Sequence, residues 1–226
     1  RQALLKNAFS GKLTEQWRAS HAHQESTELL AQIQTARAQH YQSQLADWQT
    51  AVEQWEAAGK TGKKPGKPKA PSAVVKYEAG EDLPSGWVHV ALSEIAEVSG
   101  GLTKNVKRNN FEEKVPYLRV ANVYANELRL EQIEKIGILE SEKERTLLKK
   151  GDLLIVEGNG SIDQIGRVAI WNDEIKPCYH QNHLIKTRSL SSCVDAKFIL
   201  FFLMSPAGRK GIVDVASSTT GLHTLS

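Results

Sequence analysis

Apolar and polar positions alternate in different ways along this chain, and the changes divide it into three stretches. Over residues 1–58 there is no proline, and Ala, Gln and Leu dominate. Gln2 to Phe9 suits the last turns of a helix, with Gly11 just past its end. A second helix is predicted from near Ser26, with Glu28 in its first turn, to about Ala58, where Gly59 stops it. Within it Tyr41, Leu45, Trp48, Val52 and Trp55 recur at spacings of 4, 3, 4 and 3, a heptad stripe on an otherwise Gln-, Glu-, Ala- and Thr-rich surface. At 1.5 Å per residue this helix would be roughly 50 Å long. One apolar stripe requires a partner helix, and the expectation is that it lies outside this sequence.

Residues 59–82 change character. Pro65, Pro68 and Pro71 among lysines and glycines forbid a helix and favour an extended linker. Residues 59–80 carry six Lys against one Glu. Those lysines read either as contacts to nucleic-acid phosphates or as the solvated charge of a tether.

From 83 to 226 the pattern is that of a mixed α/β domain. Short runs rich in β-branched or aromatic residues predict strands at Trp87–Val90, Val115–Val123, Leu153–Glu157, Arg167–Trp171 and Asn182–Thr187. Helices are predicted at Leu92–Ala96, Ser141–Leu148 and Asp195–Met204, the last with Asp195 as N-cap and Pro206 beyond its end. Long polar loops remain at Ser99–Asn110, Gly158–Gly166 and Ser217–His223, and loops of that length in a compact domain are usually functional. The fold expected is therefore α/β: a long helical spacer of coiled-coil type, then a mixed α/β domain.

Composition narrows the class. The chain has 226 residues, 40% hydrophobic and 24% charged, close to a globular average. No apolar run approaches the ~18 residues of a membrane span; the densest stretch, Phe198 to Met204, suits a core element. The first residue, Arg1, is not Met and falls inside a helical pattern, so the chain is expected to continue beyond both ends, and an upstream signal peptide stays open. Cys178 and Cys193 are too few for a disulfide framework and suit a reducing compartment, the cytoplasm. The net charge is +3, but residues 81–226 hold 18 basic and 19 acidic side chains. Nucleic-acid binding by this body would have to rest on local loop chemistry rather than on its overall field.

Several catalytic signatures fail. In GDLLIVEGNGSIDQIGRVAIW (151–171), Gly158 and Gly160 are followed by Asp163 where a dinucleotide fingerprint needs a third glycine. A strand-like run, not a helix, comes next. Two strands joined by a protruding polar loop fit better, with Asn159, Ser161, Asp163 and Gln164 at the tip. Asn and Gln offer the donor-plus-acceptor edge that matches adenine in the major groove; an ordinary Gly/Asn turn is the alternative. Cys178-Tyr-His-Gln-Asn-His183 resembles metal ligands, but on a strand the two histidines point to opposite faces, and no cluster completes four ligands. There is no P-loop, no Gly-x-Ser-x-Gly elbow and no Pro-Pro dipeptide of the kind amino-methyltransferases use. No metal site and no catalytic residues are expected.

Two stretches bring a family into view. RQALLKNAFSGKLTEQWR (1–18) and LPSGWVHVALSEIAEVSGG (83–101), in this order across a Lys/Pro-rich spacer, resemble the specificity subunit of type I restriction–modification systems. VPYLRVANV (115–123), the 151–171 segment, HQNHLI (180–185) and STTGLHTLS (218–226) are similar to the body of its second target recognition domain. The resemblance covers nearly the whole chain.

It implies a DNA-reading subunit without a catalytic centre. In this family two target recognition domains, held apart by antiparallel conserved helices, each read one half of a split site in double-stranded DNA. The partners implied are modification subunits, which bind S-adenosylmethionine and methylate adenine, and restriction subunits, which use ATP and Mg²⁺; no cofactor is implied for this chain, and no membrane. A complete subunit would also carry a first recognition domain and, after the second, a further conserved helix beyond Ser226, so the expectation here is one half-site. Loop position and side-chain chemistry then nominate Lys104, Lys107 and Arg108 for phosphates. Asn159, Ser161, Gln164, Gln181 and Asn182 are nominated for base edges, with Thr219, Thr220 and His223 on a neighbouring loop. Leu5, Phe9, Trp48 and Trp55 are candidates for docking a partner, or for internal packing. Two rival readings remain: a segment of a single-chain enzyme that fuses restriction and methylation to a similar module, and a helical adaptor that binds protein alone.

Overall fold

A computed structural model describes residues 1–21, 26–62, 64–71, 83–219 and 221–225. In chain order the elements are α1 (Gln2–Phe9), α2 (Glu15–Ser20), α3 (Ser26–Ala57), α4 (Leu92–Ile95), β1 (Ala96–Gly100), β2 (Lys114–Leu118), β3 (Val123–Tyr124), β4 (Glu127–Leu128), β5 (Glu134–Gly137), α5 (Glu140–Thr146), β6 (Leu153–Val156), β7 (Gly158–Asn159), β8 (Val168–Ile170), β9 (Tyr179–His180), β10 (Leu184–Ser189), α6 (Ala196–Met204), α7 (Pro206–Asp214), β11 (Ser217–Thr219) and β12 (Leu222–Thr224). They form two compact units, one of residues 22–96 and 190–193, the other of 1–21, 97–189 and 194–226. No helix among the described residues is long and apolar enough to cross a membrane.

The smaller unit is built on α3, 32 residues long and so about 48 Å at the α-helical rise. All five stripe residues are half-buried. The indole N–H of Trp48 donates to the Pro65 carbonyl at 3.1 Å, and that of Trp55 to the Gly62 carbonyl at 3.3 Å. Lys60 and Lys64 lie 6.0 and 5.8 Å from the Trp55 ring centroid, and Lys67 lies 5.7 Å from that of Trp48. The start of the linker therefore runs back along the helix, its carbonyls satisfying the indoles and its lysine stems shielding the rings. The helix α3 makes no coiled coil by itself. Trp87–Val90, predicted as a strand, is not a strand in the structure. The Trp87 N–H instead closes a turn on the Pro84 carbonyl, with Gly86 in the left-handed region that turn requires.

The larger unit has a four-stranded sheet in the order β1-β10-β6-β8. The run Leu153–Val156 is buried at every position, as its unbroken apolar character demands, and pairs antiparallel on both sides. Its Leu154 and Val156 side chains join Leu118, Val123, Trp171, Cys178 and Leu184 in the main core. A second sheet, β5-β2-β9, packs Val115, Tyr117, Ile136 and Tyr179 with Leu102 and Ile138. The run Val115–Val123, expected as one strand, is broken by a short 3₁₀ turn at Val120–Asn122. Asn122 causes the break: its side-chain oxygen accepts the Arg119 N–H, and its amide donates to the Arg129 and Gln132 carbonyls.

At the end of the chain Asp195 caps α6 as expected, accepting the Lys197 N–H. Pro206 opens a further helix, α7, in which Ser205 is the N-cap and the proline occupies the first turn, where its missing N–H costs nothing. The stretch predicted as a loop at Ser217–His223 is the hairpin β11–β12. Helix α1 packs on these helices: Phe9 meets Phe198 and Phe202 edge-to-face, at 5.2 and 5.4 Å between ring centroids, and Leu5 is buried. Leu5 and Phe9, candidates for partner docking, thus serve the packing of their own unit.

Candidate nucleic-acid interface

The chain leaves the central sheet at Val156 and re-enters it at Val168, and the excursion between them is mostly polar, exposed at its tip and buried or half-buried at both ends. Asn159 Oδ1 accepts the Ser161 N–H at 3.0 Å, the short-range bond that makes asparagine a turn former. The Gln164 N–H then closes on the Ser161 carbonyl. Ser161, Asp163 and Gln164 are exposed, while Ile165 at the foot of the loop is completely buried.

That foot is held from α7. The Arg209 guanidinium donates to the carbonyls of Ile162 and Ile165. Gly166, at φ +69°, lets the chain pass so close to Ile212 that a Cβ there would come within 2.6 Å of its Cγ2. Arg209 had no mark in the linear sequence, because it stands 44 and 47 residues from the carbonyls it grips.

The nominated stretches converge. Gly158 and Asn159 form β7, which pairs with β12, so Asn159 stands opposite His223, and Thr219 lies on the adjoining strand β11. Thr220 lies outside the described residues. His223 is half-buried. Gln181 and Asn182 give their backbone N–H groups to the Leu118 and Leu102 carbonyls, while their half-buried side chains make no hydrogen bond among the described residues. The next residue, His183, ties this turn to the loop: its Nδ1 lies 2.9 Å from Glu157 Oε2, and the Glu157 carbonyl accepts the Leu225 N–H. Asn159, Gln181, Asn182, Thr219 and His223 are thereby gathered around Glu157–Asn159.

His180 behaves differently from its neighbours. It is completely buried, with Nδ1 3.0 Å from the Thr146 carbonyl, and burial, reinforced by the nearby Lys186 charge, holds its pKa down to about 4. Burial also pushes the Cys178 thiol up to about 12. The two histidines have different partners, and among the described residues no three His, Cys, Asp or Glu side chains group as metal ligands.

The basic loop gives a mixed result. Lys104 and Lys107 are exposed, with Lys104 Nζ 3.8 Å from Glu134. Arg108 is only 7% exposed and its guanidinium is satisfied. It makes a fork-to-fork pair with Glu142 at 2.6 and 2.9 Å, and donates further to the Thr103 and Gly137 carbonyls. Arg108 is a scaffold residue, and its nomination as a phosphate ligand is corrected: a cation already bound by carboxylate and carbonyls in a buried site is not offered to DNA.

Against known proteins, the model of the type I restriction modification DNA specificity domain matches residues 84–222. The specificity subunit of the type I restriction enzyme EcoKI from Escherichia coli (strain K12) is 29% identical over 139 residues, which is 59% of this chain and 28% of that protein. A solved chain, from work on complex assembly and conformational transition of the type I R-M system, aligns over 81% of this chain and 39% of its own length at 18% identity, with a TM-score of 0.42. This chain thus spans less than a third of the EcoKI subunit and about two fifths of the solved chain. Specificity subunits of type I systems are non-catalytic DNA-recognition subunits. With more than half of its residues inside the family match, this chain belongs to the type I restriction modification DNA specificity domain family.

Proposed function

We propose that this chain reads one half of a split DNA target for a cytoplasmic type I restriction–modification complex, positioning modification and restriction subunits on it and catalysing nothing itself. The observation that carries this reading is the gathering of Asn159, Gln181, Asn182, Thr219 and His223, from three separate stretches, around one exposed polar loop. Asn159, Ser161, Gln164, Gln181 and Asn182 contact base edges, with Thr219, Thr220 and His223 beside them, and Lys104 and Lys107 hold the backbone. S-adenosylmethionine is the modification subunit's cofactor, and ATP with Mg²⁺ the restriction subunit's. The α3 helix and its linker act as the spacer, and the half-buried Trp48 and Trp55, with the linker laid against them, dock the modification subunit.

The test is selection from a randomised duplex pool by the protein in complex with its cognate modification subunit, at near-physiological salt. Enrichment of one short run of contiguous base pairs is the expected result. Retention without enrichment, falling steeply with salt, would reduce the domain to a phosphate binder. Co-purification of the two proteins with no DNA retained would favour the protein-only adaptor.

A further inference from the structure

The hairpin β3–β4 places two arginines against one aromatic ring. The Arg129 Cζ lies 3.8 Å from the Tyr124 ring centroid and the Arg167 Cζ lies 4.7 Å from it. The two guanidinium carbons are therefore at most about 8.5 Å apart. They come from positions 38 apart in sequence, brought together because the Asn126 N–H at the hairpin tip donates to the Val168 carbonyl at 2.8 Å. Arg167 directly follows Gly166, the last residue of the polar loop, so the pair flanks the loop's exit.

The neighbours of these cations leave capacity unused. Arg129 gives its Nε to Glu127 at 2.9 Å, in a pair whose side chains are 50% and 56% exposed, an arrangement worth little in water. Arg167 donates one Nη to the Val120 carbonyl at 3.4 Å, and its Nε is buried without a partner. The remaining Nη groups of both make no hydrogen bond among the described residues. Contact with the ring holds each guanidinium in place without consuming its N–H donors, and a positioned planar fork is the group that suits a phosphate. Two like charges held this close are relieved by an anion shared between them.

Resting on the DNA-reading function proposed above, we propose that Arg129 and Arg167, held over the Tyr124 ring, form a clamp for a DNA backbone phosphate beside the bases read by loop 158–166. Neither arginine stands out in the sequence, since each is an isolated cation there. The clamp positions the duplex and adds no base preference.

The experiment measures the salt dependence of duplex binding by the protein in complex with its modification subunit. It compares the wild type with the double variants Arg129→Gln/Arg167→Gln and Arg129→Lys/Arg167→Lys. Each lost phosphate contact lowers the slope of log affinity against log salt by about 1. The glutamine pair, which gives up that one phosphate, should therefore lose roughly 1 in slope and weaken all sequences alike, with the enriched motif unchanged, while the lysine pair keeps the slope. A full wild-type slope in the glutamine pair would overturn the clamp and leave a structural staple for the hairpin. Saturable binding of inorganic phosphate that both arginines require, with the duplex slope unaffected, would overturn DNA as the source of the phosphate. A wild-type complex that enriches no motif would refute the functional reading; one that does, beside glutamine variants of unaltered slope, would refute the clamp alone.

Discussion

The guanidinium of Arg209 donates to the carbonyl of Ile165, so the helix α7 holds the foot of a loop that precedes it by more than forty residues. The same side chain reaches Ile162, and the two bonds fix the loop between its exposed tip and its buried end. Arg209→Ala should lower stability by about 1–3 kcal/mol, the ordinary worth of charged hydrogen bonds. It should also blur base preference at the pairs read by Ser161 and Gln164. Motif enrichment and urea denaturation, measured together, test this: an unaltered motif in a destabilised protein would show that the loop keeps its shape without Arg209.

Base readers and backbone holders should separate under mutation. Gln164→Ala should relax preference at one base pair by roughly 1–3 kcal/mol, leaving binding to unrelated sequences unchanged. Lys107→Ala should weaken every sequence alike and reduce the salt slope by about 1. Competition binding with single-base-pair variants of the selected site distinguishes the two. Uniform loss in both variants would remove loop 158–166 from base recognition.

Arg108 should matter for folding and not for DNA. Replacing it by Ala strands the Glu142 carboxylate and two carbonyls in a partly buried site, and breaking such a pair typically costs about 3–5 kcal/mol. The Arg108 guanidinium is also the first cause holding the Glu142 carboxyl below its ordinary range. Its folded-state pKa being depressed, that pair stabilises above the unfolded carboxylate pKa and is lost as pH falls through the folded one. Arg108→Ala should therefore denature at lower urea, while its folded fraction retains the wild-type salt slope. A shallower slope would restore Arg108 to the phosphate contacts.

Periodicity exposed in advance those elements whose partners are local. The span of α3, the Asp195 cap and the buried run at Leu153 were legible because helix punctuation and an unbroken apolar strand are written in consecutive residues. The break in Val115–Val123 was not, because Asn122 acts through carbonyls seven and ten residues away. Nor was the role of Arg108, whose loop position suggested solvent until Glu142 arrived from 34 residues on. The polar loops that form the candidate site could be located from their length, but their convergence depends on β12 pairing with β7, a contact between positions 64 apart.

His180 predicts a pH dependence. Its folded pKa of about 4 lies below the ordinary 6.5, with burial the first cause and the Lys186 charge the second. Between pH 6.5 and 4 the unfolded chain takes up a proton that the folded one refuses, so stability falls as pH drops through that window, by at most about 3 kcal/mol. Lys186, pulled down to about 8 chiefly by its own burial, has the same sign at the alkaline end: stability rises between pH 8 and the ordinary lysine value. Urea denaturation of the wild type and of His180→Gln from pH 7.5 to 4 isolates the first effect, since glutamine keeps a donor for the Thr146 carbonyl but does not titrate. The wild-type curve should steepen below pH 6.5 and the variant's should not. Parallel curves would mean that the imidazole is protonated inside the fold, and that the core around Thr146 and Lys186 opens to water at acid pH.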